Sequence, residues 1–372
     1  MPSPIFSPMT QLNSTSATVP QVAFVLSVVQ ELKMVRKRYS SLGLWFGLLT
    51  ASIAAPQAIA GWEVHWIDTF EGEAVNWDNW TAQTQANYNN EVQCYTDDDS
   101  SEMRNYDVSD GTLKIIARKH TNQCVTLGGQ TKTWTSGRLN SKDKREFLYG
   151  RIEARIRFHD LEAGTWPAFW MLENRIAEQP IKGDNDSVGW PNAGASEIDV
   201  WEWFSNQPQS YITNFFNTAG CGAEYRYPYP NGAQDVLDWH RYAIEWDQDS
   251  ITFFVDEQEV IRHDVSQCPR YKEPMFVLLN VAMGGMLGGQ IDPDLQRATM
   301  EVDYIAHCQP AQSNSIDRCD ENTPRLDPNT DVPELPTAPS ATTSNGGSAS
   351  ILSFLALLTL ASLKQHRARK RK

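Results

Sequence analysis

The run SEIDVWEW, residues 196–203, sets three carboxylates among β-branched and aromatic residues. Such neighbours favour a strand over a helix. Side chains alternate along a strand, so Glu197 and Asp199 share one face, whereas Glu202 would point to the other. A bulge of one residue near Val200–Trp201 would return Glu202 to the first face. The run therefore predicts a strand that presents three acids together, with no basic residue in the run to neutralise them.

Two interpretations of these acids are open from the run alone. A solvated edge strand can carry acids by chance. Bringing like charges together raises the free energy of the folded chain, so such clusters are found mainly where they have a chemical function. A pair of carboxyl groups, one protonated and one ionised, is the apparatus of glycoside hydrolysis, and this second interpretation is the one we favour.

The rest of residues 61–310 has the pattern of half-buried strands. In RIEARIRF, residues 151–158, charged residues alternate strictly with apolar ones, as in an antiparallel strand with one buried face. Further strands are predicted at 112–117, 241–246, 251–255, 274–283 and 298–305. Since no segment of this region has a long apolar period of 3.6 residues, the sequence predicts an all-β sandwich or barrel.

The N-terminal part of the chain has the composition of a targeting segment. A basic stretch from Met34 (MVRKRY), an apolar stretch and the small-residue sequence AIA precede Gly61. This order over residues 34–60 is typical of a secretory signal peptide. We therefore predict an exported protein that begins at Gly61. Residues 1–33 are then a mis-assigned extension upstream of the true start, with a genuine longer leader as the alternative.

The C-terminal part changes composition twice. Residues 311–350 are rich in Pro, Ser, Thr, Asn and Asp and predict a linker, whose first part Cys319 would tie back to the domain. Residues 351–372 hold a short apolar run and then KQHRARKRK, and the apolar run is too short to span a bilayer unaided. With Gly346-Gly347 before it, this tail resembles the GlyGly-CTERM sorting segment of Gram-negative bacteria. That resemblance implies transient contact with membrane sorting machinery; a plain C-terminal anchor is the alternative.

Charge and cysteine content narrow the range of partners. The formal net charge is −14 although both ends of the chain are basic, so the middle is strongly acidic. An acidic surface repels nucleic acid and anionic membranes, and it disfavours a heavily sulfated polymer. All six cysteines follow Gly61, and in an exported chain an even number predicts disulfides. The sequence does not choose among the possible pairings.

Several further runs, together with the acidic strand, make residues 61–310 resemble glycoside hydrolase family 16, in its laminarinase-like branch. The family motif E-[I/L]-D-x-x-E is matched from Glu197 to Glu202. The other matching runs are NNEVQCYT (89–96), SGRL (136–139), YGRIEAR (149–155), GTWPAFWML (164–172), LNVAMGG (279–285) and MEVDYI (300–305). In order and spacing they cover nearly all of the domain.

The resemblance implies a jelly-roll β-sandwich of two curved antiparallel sheets with a substrate cleft on the concave face. It also implies retention of the anomeric configuration by double displacement. Glu197 would be the nucleophile, and Glu202 would be the general acid and then the general base. Asp199 would hydrogen-bond the nucleophile and help set the protonation of the pair, in keeping with the need for one ionised and one protonated carboxyl.

Asn90, Arg138 and Trp166 are the positions at which the resemblance implies contacts with sugar hydroxyls and faces. Each has a simpler alternative: a turn residue for Asn90, a structural ion pair for Arg138 and a core residue for Trp166. Twelve of the 13 tryptophans lie in the domain, and most are expected in the core. A few would instead be platforms for sugar rings.

No cofactor is expected to be required for the chemistry. Some members of the family hold a structural Ca²⁺ away from the cleft, and Glu71, the carbonyl of Gly111 and Asp303 match those positions. Oxygen groups of this kind also occur in β-proteins without a metal.

Three departures from the family pattern bear on specificity. Many laminarinases have a His after the catalytic strand, where the segment TNFFN (213–217) offers amides and aromatics instead. Trp201 fills a position that often holds a smaller residue or Met, and the loop Glu173–Pro191 is long and acidic.

The implied protein is a monomeric, exported endo-β-1,3-glucanase acting on laminarin-type polysaccharide. The alternatives are hydrolysis of mixed-linkage glucan, agar or carrageenan, and carbohydrate binding without turnover on the same fold.

Overall fold

A computed structural model of the protein describes residues 61–176, 196–217, 220–311 and 318–326. The predicted signal peptide and extension, most of the acidic loop before the catalytic strand, most of the linker and the C-terminal tail lie outside these residues. Within the described ranges, no helix is both long enough and apolar enough to cross a membrane.

The described chain is built mainly of strands, as the alternating patterns predicted. In chain order they are β1 (Trp62–Asp68), β2 (Thr81–Ala82), β3 (Gln93–Thr96), β4 (Tyr106–Ser109), β5 (Thr112–Cys124), β6 (Gln130–Asn140), β7 (Glu146–Phe147), β8 (Gly150–Phe158), β9 (Thr165–Glu173), β10 (Glu197–Trp203), β11 (Ser210–Phe216), β12 (Gly222–Pro228), β13 (His240–Trp246), β14 (Ser250–Val255), β15 (Gln258–Asp264), β16 (Met275–Met283) and β17 (Arg297–Pro310). Short 3₁₀ turns occupy Val125–Leu127, Gly232–Leu237 and Pro269–Lys272, and one helical turn, α1, occupies Gly285–Gly288.

The strands form two layers, which we call the cleft sheet and the outer sheet. The cleft sheet runs in the order β2–β6–β16–β9–β10–β11–β12, with every neighbouring pair antiparallel. The outer sheet runs β4–β5–β17–β8–β13–β14–β15, also antiparallel, and β1 extends it beside β17. The strand β6 joins the layers, because its first part pairs with β5 and its last residues pair with β16. This is the predicted all-β jelly roll.

Strand β8 shows both what alternation predicts and where it falls short. Its apolar residues, Ile152 to Phe158 in alternation, are fully buried in the core between the sheets. Its polar face was predicted to be open, yet Arg151 and Glu153 are also buried. They form an ion pair of 2.7 Å, and Glu153 also accepts a 2.6 Å hydrogen bond from the hydroxyl of Tyr304. A cluster on β1 and β17 that includes Cys319 covers this side.

The cysteines form three disulfides: Cys94–Cys124, Cys221–Cys268 and Cys308–Cys319. The last one ties the start of the predicted linker back to the domain, as the sequence predicted for Cys319. The chain there also pairs with β1. The N–H of Val64 donates to the carbonyl of Pro324, and the carbonyl of Val64 accepts a hydrogen bond from the N–H of Leu326. Residues 318–326 are therefore packed on the outer sheet.

Candidate active site

A bulge in β10 brings the three acids of the sequence motif to one face. Across to β9, Asp199 pairs with Trp170 and Trp201 pairs with Phe169, so Val200 has no partner. Across to β11, Val200 and Trp201 are together opposed by the single residue Thr213. The strand thus holds one extra residue at the position predicted from the sequence, and Glu202 returns to the face of Glu197 and Asp199.

All three acids line one cleft, which encloses about 400 Å³ of space, part of it open to solvent. Its walls come from the turn before β3 and from strands β6, β9, β10 and β16. The lining residues are Tyr88, Asn89, Glu91, Arg138, Trp166, Ala168, Trp170, Glu197, Asp199, Glu202 and Asn280.

The cleft runs across the strands rather than along them. One row of directly opposed residues begins at Arg138 on β6 and continues through Asn280 and Ala168 to Glu202. Because neighbouring strands lie about 4.8 Å apart, the row extends over roughly 15 Å. The small side chain of Ala168 keeps the floor low between the basic end of the row and the acid.

Asp199 is a buried acid beside another acid. Burial raises the pKa of Asp199 well above its usual range, and the charge of Glu197 raises it further. The two carboxyl groups share a hydrogen bond, and Asn214 Nδ2 donates to Asp199 Oδ2 at 3.0 Å, which opposes the rise. The raised pKa favours a proton on Asp199, whose carboxyl lies against that of the half-exposed Glu197.

Glu202 is the second buried acid that β10 places in the cleft. Burial raises the pKa of Glu202 well above its usual range, and the nearby Asp199 adds to the rise. Trp166 Nε1 donates to Glu202 Oε1 at 2.8 Å, which lowers the pKa in part. Trp166 is thus a cleft residue, although at 7% exposure it is also largely buried. One face of the strand thus holds two buried carboxyls with raised pKa beside the half-exposed Glu197.

Comparison with known proteins agrees with this chemistry. The model of glycosyl hydrolases family 16 matches residues 90–306, which is more than half of the chain. The chain belongs to glycosyl hydrolases family 16.

Curated family 16 relatives include a glucan endo-1,3-beta-glucosidase A1 from Niallia circulans, 29% identical over 285 residues. The match takes 68% of this chain and 39% of that protein, so the chain spans well under half of its length. A beta-glucanase from Rhodothermus marinus is 29% identical over 296 residues, which are 73% of this chain and 94% of the relative.

Solved structures in the family show the same fold. The crystal structure of a LamA variant from Zobellia galactanivorans, in complex with laminaritriose and laminaritetraose, aligns with a TM-score of 0.58 at 32% identity. The alignment covers 66% of this chain and 99% of that one.

The sugar-binding positions inferred from the family resemblance divide in the structure. Arg138 lines the cleft, and its guanidinium lies over the ring of Trp170, 4.8 Å from the centroid. Asn90 is exposed and does not line the cleft, whereas Asn89 does. Both asparagines have a positive φ, and the N–H of Glu91 donates to the carbonyl of Tyr88. This is the tight turn that two consecutive asparagines favour.

Glu91, Trp170 and Asn280 are cleft residues that the sequence analysis did not select. Burial raises the pKa of Glu91, which the charge of Arg138 and hydrogen bonds from neighbouring side chains partly oppose. Trp170 Nε1 donates to Asn280 Oδ1 at 2.8 Å. Trp170 could have been found from the strand period, because it lies four residues after Trp166 on the same face.

The three positions inferred for calcium lie away from the cleft lining. Glu71 is close to Gly111, since a Cβ on that glycine would stand 3.6 Å from Glu71 Oε1. Asp303 Oδ2 accepts a hydrogen bond from Arg155 Nη1 at 2.6 Å, which competes with a metal for that oxygen. Among the described residues no group of three or more His, Cys, Asp or Glu side chains has the arrangement of a metal site. Structural Ca²⁺ stays a prediction.

Proposed function

We propose that the protein is an exported, retaining endo-β-1,3-glucanase that hydrolyses laminarin-type polysaccharide. One observation carries the proposal: a bulged strand presents Glu197, Asp199 and Glu202 together in a cleft, where burial raises the pKa of Asp199 and of Glu202 well above their usual ranges. Retaining enzymes need one protonated and one ionised carboxyl group, and we assign the proton to Glu202 and the charge to Glu197.

In the first step, the carboxylate of Glu197 attacks the anomeric carbon and forms a glycosyl ester. The bond from that carbon to the bridging oxygen breaks, and the carboxyl proton of Glu202 moves to the leaving oxygen. The protonation of Glu202 follows from its burial and from the neighbouring acids. Asp199 keeps Glu197 oriented through their shared hydrogen bond.

In the second step, Glu202 is a carboxylate and takes a proton from water. The water oxygen attacks the anomeric carbon from the face that the leaving group vacated. Glu197 departs as a carboxylate, and Glu202 is protonated again. Two inversions at one carbon give net retention. The hydrogen bond from Trp166 Nε1 stabilises the charged form of Glu202 between the two steps.

The β-glucan substrate class is supported by the relatives and by the cleft. Both curated relatives named above are glucanases, and the Zobellia galactanivorans structure contains laminarin oligosaccharides. Indole rings at Trp166 and Trp170 suit the faces of neutral sugar rings. The strongly acidic chain disfavours a sulfated galactan such as carrageenan.

Carbohydrate binding without turnover is the main candidate of another class. Burying ionisable groups is unfavourable. Sugar binding alone requires neither the raised pKa of Glu202 nor the adjacent acid pair, so this alternative does not explain why they are buried. Hydrolysis of mixed-linkage glucan or agar uses the same chemistry and differs only in the fit of the substrate.

Reducing-end release from laminarin, lichenan, agarose and κ-carrageenan tests the activity and the substrate class together. We expect laminarin to be cleaved fastest, with oligosaccharides of mixed length as early products. Glu197→Gln is the control, since it keeps the shape of the site and removes the nucleophile. Cleavage of agarose or carrageenan with inert laminarin would overturn the substrate class but keep the mechanism, whereas inert substrates throughout would favour the binding protein.

Proton NMR of the first product tests the stereochemistry. A β-linked glucan should yield the β-anomer first, and an α-anomer would show that Glu197 and Glu202 have been given the wrong roles.

Export is supported by the three disulfides, which form in oxidising compartments. Intact-mass analysis of protein from the culture medium should show Gly61 as the first residue and loss of the segment after Gly347. A secreted protein that retains Met1 or Lys372 would contradict the predicted processing. Size-exclusion chromatography with light scattering tests whether the exported protein is a monomer.

A further inference from the structure

Trp201 lies directly behind the catalytic acids, on the core side of the bulge. Val200 and Trp201 are consecutive residues, yet both are buried in the same hydrophobic core, at 2% and 0% exposure. On a regular strand one of them would face the cleft. The inward orientation of Trp201 and the return of Glu202 to the cleft are therefore two consequences of one backbone irregularity.

The indole of Trp201 is anchored by two tyrosines. Trp201 Nε1 donates to the hydroxyl of Tyr229 at 3.0 Å, and the hydroxyls of Tyr229 and Tyr242 are 2.8 Å apart. The ring of Trp201 also stacks on that of Tyr242, with centroids 5.1 Å apart and planes 26° apart. All three residues are 5% exposed or less, so water cannot replace these hydrogen bonds.

The chain of hydrogen bonds connects the catalytic strand to the opposite layer. Trp201 belongs to β10 in the cleft sheet, and Tyr242 belongs to β13 in the outer sheet. Tyr229 follows β12, where its N–H donates to the carbonyl of Gln209. The bulge is thus fixed against the outer sheet as well as against its neighbours in the cleft sheet.

We infer that Tyr229 is a positioning residue for the proposed reaction: through Trp201 it holds the bulge in the one register that directs Glu202 into the cleft. A slip of one residue would turn Glu202 away from Glu197, because side chains alternate with a period of two. A smaller shift would still move the acid relative to the glycosidic oxygen. Positioning of this kind acts on turnover rather than on substrate affinity.

Tyr211 offers a matched control within the same cluster. Its ring lies 5.3 Å from that of Tyr229 and 5.2 Å from that of Tyr242. It is fully buried, and its hydroxyl finds no hydrogen-bond partner in the described part of the chain. Tyr211→Phe and Tyr229→Phe therefore each remove one buried hydroxyl from one aromatic cluster, but only the second removes a bond to Trp201.

The experiment measures kcat and KM on laminarin, and the midpoint of thermal unfolding, for four variants. They are Tyr229→Phe, Trp201→Phe, the double variant and Tyr211→Phe. We expect Tyr229→Phe to lower kcat about tenfold or more with KM nearly unchanged, since an offset of about 1 Å in a catalytic group can cost 100-fold. Trp201→Phe removes the N–H side of the same bond and should match it. The double variant should be no worse than either single variant, because both remove one interaction. Tyr211→Phe should stay within about twofold of the unmodified protein in kcat.

Equal losses of kcat in Tyr211→Phe and Tyr229→Phe would overturn the inference, since they would report general weakening of the core. Additive losses in the double variant would overturn it too. Should Tyr229→Phe not fold, Trp201→Phe tests the same bond.

The inference rests on the proposed function for its kinetic readout, and crystal structures separate the two. If the unmodified protein cleaves no glycan, the proposed function fails, and displacement of the Glu202 carboxyl in Tyr229→Phe still supports the positioning role. If the unmodified protein is active and Tyr229→Phe has full activity with Glu202 in place, the positioning role fails and the glucanase function stands.

Discussion

Glu202 in the cleft sheet and Glu301 in the outer sheet are buried to a similar degree, with 9% and 5% of their surface exposed. Burial acts on both in the same direction, by favouring the neutral form. Yet the pKa of Glu202 is raised well above its usual range, whereas the pKa of Glu301 is lowered.

The difference lies in the partners of each carboxyl. Glu301 is surrounded by donors: although burial raises its pKa, hydrogen bonds from Thr112, Arg157 and His159 lower it by more. Glu202 has another acid, Asp199, as its neighbour and accepts a hydrogen bond from an uncharged indole. Burial alone therefore does not make a general acid, and a buried glutamate becomes one where cations are kept away. Four predictions test this contrast.

The largest expected effect is on turnover. Glu202→Gln and Glu197→Gln should each lower kcat on laminarin by about 10²–10⁴-fold, because proton transfer or covalent attack is lost. Glu301→Gln should leave kcat within a few fold, since this side chain lies in the outer sheet. Steady-state kinetics on folded protein, verified by circular dichroism, makes the comparison.

Azide sharpens the assignment of Glu202. A small anion can attack the glycosyl ester without a general base. On an aryl β-glucoside substrate whose leaving group needs no protonation, azide should therefore restore turnover to Glu202→Ala and give the β-glycosyl azide, whereas in Glu197→Ala azide would take the place of the carboxylate and give the α-glycosyl azide. Near-full activity of Glu202→Gln, or an α-glycosyl azide from the Glu202 variant, would show that the two roles are misassigned.

The free energy of unfolding at pH 7 should change with opposite signs in Glu202→Gln and Glu301→Gln. A glutamate whose pKa is raised by folding loses stabilisation as the pH rises past its ordinary range. Glu202→Gln should therefore be more stable than the unmodified protein at pH 7, and the gain should vanish near pH 4, where the carboxyl is protonated in both folded and unfolded states.

The lowered pKa of Glu301 has the reverse consequence. Its contribution is present above the ordinary range of a glutamate and is lost as the pH falls through its folded value. Glu301→Gln should lower the free energy of unfolding at pH 7 by about 1–3 kcal/mol, the range for hydrogen bonds to charged groups. Denaturant titration at pH 7 and pH 4 measures the free energy of unfolding of both variants. A loss of stability in Glu202→Gln at pH 7 would contradict the proposed difference between the two glutamates.

A third prediction concerns the pH dependence of activity. Removal of the Trp166 indole N–H in Trp166→Phe should raise the pKa of Glu202 further, because that hydrogen bond lowers it. Activity needs the protonated acid, so the alkaline limb of kcat/KM should move to higher pH. Thr112→Val is the control: it removes a hydrogen-bond donor from Glu301 and should leave the alkaline limb of kcat/KM at the same pH.

The smallest expected effect is at Asn214. Asn214→Ala removes the hydrogen bond that opposes the raised pKa of Asp199, and Asp199 acts only through Glu197. We expect a severalfold loss of kcat, the scale of one neutral hydrogen bond of about 1 kcal/mol. The cross-strand neighbour Glu224→Gln separates charge from hydrogen bonding, because Glu224 is exposed and raises the pKa of Asp199 through its charge. A loss as large as that of Glu197→Gln would show that Asn214 itself contacts the reacting atoms.

The sequence predicted most of the fold and the grouping of three acids on one face of a strand, because both depend on local patterns. Alternation at residues 151–158 and β-branched neighbours at 196–203 are visible within a few residues. The position of the bulge also followed from local reasoning, since three acids spaced as Glu197, Asp199 and Glu202 can share a face only if one residue is added.

Other features depend on residues far apart in the chain. Sequence analysis selected Asn90 for the cleft, yet the turn places Asn89 in the cleft lining and leaves Asn90 exposed. Glu91 and Asn280 reach the cleft from segments nearly 190 residues apart. Both lie in runs that match the family, but only the fold shows that the two side chains line the same cleft.

The sequence by itself determined that this chain is an all-β protein with a carboxylate pair on one strand, since side-chain period and residue chemistry are local properties. Only the tertiary structure decided which cysteines pair, which residues form the row from Arg138 to Glu202, and that Trp201 is held from behind by Tyr229 and Tyr242. Protonation was decided there as well. The pKa of a carboxyl depends on the depth of its burial and on the charges and donors that folding brings to it, and Glu202 and Glu301 differ in both.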